Sequence, residues 1–184
     1  DLIEYYKGIF TILSSCASRQ LEEVTFRRTV IPVQELLDAA GKYFKKLMKN
    51  RPERIELEIE PMEAKVIGDV NQLRFLLENL IDEVLTVRED GVIRLQARKD
   101  NEYIRFLFTD TRREKSVEEL NQLFYPNLAR MTSGEKGELR GTEYLVCKQI
   151  IRDHDEFAGR RGCRINAEPA EGGGFTVYFT IPRR

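Results

Sequence analysis

The stretch that most constrains this chain runs from Asp69 to Val87, DVNQLRFLLENLIDEVLTV. Its apolar residues, Val70, Leu73, Leu76, Leu77, Leu80, Ile81, Val84 and Leu85, recur at the three-and-four spacing of an amphipathic helix with a wide buried stripe. Asp69 is placed to cap it, because its carboxylate can accept from the orphan N–H groups of the first turn. Asn79 and Glu83 stand four apart, so they share one helix face beside the stripe. Polar groups in that position either edge an ordinary core helix or are the reason the helix is there, and periodicity leaves both readings open.

Other elements assemble around this helix. Residues 2–24 carry Leu2, Ile3, Tyr6, Ile9, Phe10, Leu13 and Leu21 on a helical stripe. That stripe must be buried by self-association or on the chain's own domain. A short strand is expected over 25–31, closed by Pro32, and then a helix over 33–49 whose lysines gather in its last turns. Ile55, Leu57 and Ile59 alternate with glutamates, the period of a half-buried strand. A brief strand over 65–68 leads into the central helix. Two alternating strands follow over 92–98 and 103–109, joined by Asp100-Asn101 turn chemistry. A short helix over 117–124, a polar surface loop over 125–140 and a helix over 142–152 come next. The chain closes with strands over 163–167 and 175–181 around Gly172-Gly173-Gly174. Strands in hairpin pairs with helices between them argue for an α+β fold: a two-layer α/β sandwich, a mixed but mostly antiparallel sheet with helices on one face, preceded by an N-terminal helix. At 184 residues this is one domain over 25–184 with an appendage over 1–24.

Composition closes off several function classes. The chain has 30 basic and 31 acidic residues, so no global basic field argues for nucleic acid. No apolar run approaches the roughly 20 residues of a membrane span, so no membrane contact is expected of this stretch. Cys16, Cys147 and Cys163 show neither metal nor disulfide spacing, which points to a reducing, cytoplasmic setting with the thiols as small buried hydrophobes. His154 is the one histidine and falls near a helix end, where an exposed position is expected. The chain opens inside a helical pattern, as a piece of a longer protein would.

The order of parts, with these local sequences, resembles the ATP-binding domain of sensor histidine kinases, the GHKL or Bergerat-fold superfamily. The likeness covers roughly residues 26–182. Leu77-Glu78-Asn79-Leu80-Ile81-Asp82-Glu83-Val84 is similar to the family's N box, LxNLLxNA. Thr109-Asp110-Thr111 stands where the DxGxG box begins. LNQLFYP over 120–126 is similar to the family's helix with a Phe-Pro ending. GTEYLVCKQ over 141–149 matches the frame of the second glycine box, and GGGFTVYFTIP resembles the closing strand. The resemblance implies the Bergerat fold, and it implies that residues 1–24 are the end of a dimerisation helical hairpin. The family's phosphoaccepting histidine has no counterpart in that stretch.

The resemblance also implies roles, and several positions depart from them. Asn79 keeps the first N-box position. Glu83 replaces the second Asn, which binds Mg²⁺ in the family; glutamate can ligate Mg²⁺ but sets a negative charge beside a triphosphate. Asp110 matches the carboxylate that accepts from the adenine amino group, although a strand-end cap is an equally open reading. The glycines after it are replaced, with Arg112 and Glu114 in their places and Arg113 between. Those glycines would supply positive φ and close backbone approach. Gly141 matches the first glycine of the second box, but Glu143 stands at a helix start, where N–H groups would meet phosphate. Glu143 satisfies the helix dipole itself and repels phosphate.

Two functional readings follow. In the first, this is a degenerate, pseudokinase-like domain with no catalytic residue and no cofactor, serving as a signalling or interaction module of a larger sensor. Arg112, Arg113 and Arg140 would then pair with Glu83 and Glu143 and close the site from within. Its partners would be a second copy, through the N-terminal helix, and other signalling proteins. In the second, it is a divergent but working Mg-ATP-binding domain of a two-component histidine kinase. A third reading keeps the fold and places a different ligand in the pocket.

Overall fold

The computed structural model describes Ile3 and residues 26–126 and 141–184. The helix expected over 1–24, Ile3 aside, and the loop expected over 125–140, apart from its first two residues, lie outside these residues. The elements are β1 (Thr29–Pro32), α1 (Val33–Met48), β2 (Ile55–Ile59), β3 (Lys65–Gly68), α2 (Val70–Val84), β4 (Gly91–Asp100), β5 (Tyr103–Asp110), α3 (Val117–Asn121), α4 (Glu143–Phe157), β6 (Ile165–Pro169) and β7 (Phe175–Pro182).

Five strands form the main sheet in the order β2-β4-β5-β7-β6. Only β2 and β4 run parallel; β4–β5, β5–β7 and β6–β7 are antiparallel. The alternation of each strand decides which face is dry. Ile93, Leu95 and Ala97 of β4, Ile104, Phe106 and Phe108 of β5, and Phe175, Val177, Phe179 and Ile181 of β7 are all buried in one core with α1, α2 and α4. Phe106 and Phe179 are register partners, and their rings stack at 4.8 Å. The opposite face carries Arg94, Arg98 and Arg105, the last lying 4.8 Å over the Tyr178 ring. This is the expected α+β two-layer sandwich with a mixed, mostly antiparallel sheet. One refinement is that β1 and β3 leave the main sheet and pair as a separate antiparallel ribbon, bridged to the closing strand at Val66–Arg183.

The local chemistry explains how the site helix is held. Asp69 caps α2, its Oδ1 accepting from Asn71 N at 3.0 Å and Gln72 N at 3.2 Å, and its Oδ2 accepting from Arg27 N at 3.0 Å. His154 completes that cap. The expectation of an exposed helix-end histidine is wrong: α4 continues to Phe157, and His154 is fully buried. Its Nδ1 donates to Ile150 O at 2.8 Å, and its Nε2 accepts from Asp69 N at 3.1 Å. This arrangement requires the neutral ring, and burial accordingly pushes the imidazole below its ordinary range. The Phe26 ring meets it edge-on at 4.7 Å. Gly68 is small for the same reason, because a Cβ there would lie 2.8 Å from the imidazole. Cys147 and Cys163 are buried as expected, and burial pushes the Cys163 thiol up to about 12.

Candidate functional site

α2, the end of β5 and the start of α4 bring the family-frame residues into one region. The two halves of that region are built very differently.

The first half is the end of β5. Asp110 is buried, and so is the side chain of Arg112, at 3% and 1% exposure respectively. Arg112 donates from Nε to Asp110 Oδ1 at 2.9 Å and from Nη2 to Asp110 Oδ2 at 3.0 Å, the bidentate fork that guanidinium and carboxylate geometry favour. Its other N–H groups reach backbone. Nη2 donates to Val84 O at 2.6 Å, and Nη1 donates to Val87 O at 2.8 Å and Glu89 O at 2.9 Å. All five guanidinium donors are therefore used. The three carbonyls lie at and just beyond the C-terminal end of α2, where orphan acceptors and the negative end of the helix attract a cation. Asp110 Oδ1 takes a second bond from Arg112 N at 2.9 Å. Gly91 makes room for this side chain: its φ is +146°, and a Cβ there would sit 2.5 Å from Arg112 Cγ. Gly174, with φ +86°, lets the turn before β7 close onto the end of β5, since a Cβ would fall 2.1 Å from Asp110 O.

The expected pairing of the arginines with Glu83 and Glu143 is thus corrected. Arg112 pairs with Asp110, two residues away. Arg113 pairs with Glu89 at 2.5 Å on the surface. Arg140 lies outside the described residues. Glu114 is exposed and stands 3.7 Å from where a Cβ on Gly173 would be.

The second half is acidic. Asn79 is buried, and its Nδ2 donates to Phe75 O at 2.8 Å, back along its own helix. Glu83 is one turn further on and half-buried. Glu143 opens α4, with one carboxylate oxygen, Oε2, buried and without a hydrogen-bond partner. Asp82 on α2 feels that charge. Burial pushes its carboxyl up and Glu143 pushes it further, while a 2.5 Å hydrogen bond from the Tyr43 hydroxyl opposes both. Burial and that same bond to Asp82 push the Tyr43 hydroxyl well above its ordinary range. Gly141 has φ +80°, so a glycine is required there as in the family's second box. Thr142 precedes the helix without capping it through its side chain. Among the described residues, no group of three or more His, Cys, Asp and Glu side chains could hold a metal ion.

Asn79, Glu83, Asp110, Gly141 and Glu143 were all singled out from the sequence. Tyr43, Asp82 and Gly91 were not. Tyr43 and Gly91 act across long sequence separations, and no local pattern marks them. Asp82 sits inside the N-box frame at a position where that frame specifies nothing.

The fold and this constellation define a histidine kinase-like ATPase domain. The chain belongs to the family described as histidine kinase-, DNA gyrase B-, and HSP90-like ATPase, whose profile matches residues 68–184. Among solved structures it is similar to the mycobacterial sensor histidine kinase MprB, at 18% identity and a TM-score of 0.66 over 86% of this chain and 99% of that one. It is similar to the Acinetobacter baumannii histidine kinase AdeS, at 12% identity and a TM-score of 0.62 over 98% and 79%. It also resembles histidine kinase ThkA in its complex with the response regulator TrrA, at 18% identity and a TM-score of 0.66 over 97% and 49%. No curated protein sequence matches the chain. Among the described residues, no helix is long and apolar enough to cross a membrane.

Proposed function

We propose that this chain is a degenerate histidine kinase-like domain that holds no nucleotide and acts as a non-catalytic signalling or interaction module of a larger cytoplasmic sensor. One observation carries this reading: Arg112 occupies the Asp110 carboxylate. An adenine amino group bound as in the family would need that carboxylate. It is buried, Oδ1 already accepts two bonds, and Oδ2 is forked to a guanidinium with no spare donor. Displacing Arg112 would leave its charge buried and unpaired, which costs about 3–5 kcal/mol, roughly half of a micromolar binding energy. The residues at the other end do not fit Mg-ATP either. Glu143, Glu83 and Asp82 bring negative charge to the region where polyphosphate would sit, and no described lysine or arginine is paired with Asp82 or Glu143. No catalytic step is assigned to any residue. Homodimerisation through residues 1–24 and contacts with other signalling proteins belong to this same reading.

Calorimetry of this chain with Mg-ADP and Mg-ATP tests it. The expected result is no saturable heat and no shift in melting temperature at millimolar nucleotide. Saturable binding that disappears in Asp110→Ala would instead establish a working ATP-binding domain.

A further inference from the structure

The main sheet has two edges. At one, α3 packs against β6. At the other, no described strand lies on the outer side of β2, and between it and α1 lies an open groove of about 770 Å³. The ladder fixes which backbone groups face that groove. Gly91 N donates to Arg54 O and Glu60 N donates to Leu95 O, so residues 54, 56, 58 and 60 turn their amides toward β4. The parallel register then turns the N–H and C=O groups of Ile55, Leu57 and Ile59 outward. No backbone partner is found for them among the described residues. Such a row of donors and acceptors is a template for one more strand.

The side chains say what that strand must carry. On the core side, half-buried Leu57 and Ile59 line the groove with Pro61 and with Phe44, Lys42 and Lys45 of α1, so this side suits apolar residues and the cations of a docking strand belong on the other. On the solvent side, Glu56 and Glu58 line it. Glu58 and Glu60 already pair across the ladder with Arg94 and Arg98 of β4, at 3.1 and 3.0 Å. Glu56 lies opposite Val92 and has no ion-pair partner among the described residues. A strand on the free side would find glutamates at every second position, as β4 does, and β4 answers them with arginines. A second copy of β2 would set glutamate against glutamate, which disfavours edge-to-edge self-pairing.

We propose that the β2 edge is a docking site for an extended segment of another protein in which apolar residues alternate with lysine or arginine, bound by strand addition. This inference stands apart from the nucleotide reading, since none of its groups belongs to the Asp110–Glu143 region. The probe is an acetylated, amidated heptapeptide of alternating valine and lysine. A second version is N-methylated at alternate residues, on the edge that would pair, which leaves its charge unchanged.

Amide resonances of the chain are followed by NMR with hydrogen exchange. On addition of the first peptide, the Leu57 and Ile59 amides should become protected, and Arg54, Glu58 and Glu60 should keep their ladder bonds. Glu56→Lys is expected to weaken binding by roughly tenfold, as loss and reversal of one close charge contact would. It is an exposed substitution that leaves the core untouched. Leu57→Pro removes an outward N–H together with the Leu57 side chain that lines the groove, and should abolish binding; Glu56→Lys keeps the test meaningful if that variant fails to fold. Equal binding of the N-methylated peptide would show mere charge attraction and overturn the proposal. So would protection at amides outside β2, or protection of Leu57 and Ile59 that depends on protein concentration alone, which would identify a second copy as the occupant.

Discussion

The two ends of the site have departed from the family pattern in opposite ways. At the Asp110 end, the substituting residue found partners. Arg112 neutralises the carboxylate and closes three main-chain carbonyls, so the loss of glycine became a structural joint between β5 and α2. At the Glu143 end, the substituting residue brought charge without an answer: a buried oxygen lacks a partner, and a neighbouring carboxyl is pushed up. Glycine-to-charged replacement is therefore not one kind of event. Where the new group completes a hydrogen-bond set, its side chain becomes part of the packed fold. Where it does not, the region stays acidic, with a carboxylate oxygen buried and without a hydrogen-bond partner.

The sharpest way to break this contrast is to remove one partner at each end. Asp110→Ala should cost about 3–5 kcal/mol in urea unfolding, because a buried guanidinium is left uncompensated. Replacing the pair together, Asp110→Leu with Arg112→Met, should recover most of that loss, since a hydrophobic pair has no charge to desolvate. If the double variant is as unstable as the single one, the Arg112 bonds to the α2 carbonyls carry the stability and the ion pair does not. At the other end, Tyr43→Phe should cost about 1 kcal/mol, one hydrogen bond to a partly buried carboxylate, and should raise the Asp82 carboxyl further in an NMR titration. Glu143→Gln should change stability by less than about 0.5 kcal/mol, as lost dipole attraction and lost repulsion offset, while lowering the Asp82 carboxyl. A cost matching that of Asp110→Ala would erase the distinction between the ends.

The smallest effect belongs to neither end and has to be separated from both. His154 binds its proton less readily in the fold than in the unfolded chain, so the unfolded state gains protons first as pH falls. Its contribution is fully present above about 6.5 and is lost as pH drops below that value toward the depressed folded titration. Unfolding midpoints measured across pH 7 to 5 should fall, and His154→Gln should flatten that slope.

The fold was legible because its signals are periodic. The α2 stripe, the alternation of β4 and β5, and the glycine turn before β7 each announce themselves within a dozen residues. Asp69 as a cap was legible for the same reason, whereas Gly141 stood out only through the second-box frame that the resemblance supplied, and its positive φ is a finding of the structure. The fate of Arg112 was not. Three of its acceptors are main-chain carbonyls, which carry no side-chain signature, and the room for its stem is provided by Gly91 from another strand. His154 misled for a related reason. A histidine near a helix end is usually wet, but this helix runs a turn further than its apolar pattern suggests. The ring is then enclosed by Phe26 and the 68–69 turn, partners that no local window contains.

The single parallel pairing in the main sheet has a consequence for the order of events in folding. β4 and β5 close over a tight turn, with Asp100 opposite Tyr103, and can zip as a local hairpin within microseconds. β2 can join β4 only after β3 and α2 between them have been threaded back across the sheet, and β7 must arrive from the far end of the chain to lie beside β5. The loop-closure entropy of those two steps has to be met before their contacts form, which sets the tempo of a high contact-order domain, nearer milliseconds to seconds than microseconds. During that interval α2 has no sheet to lie on. The helix that forms the floor of the site can therefore become fixed only as the outer strands are gathered around the hairpin.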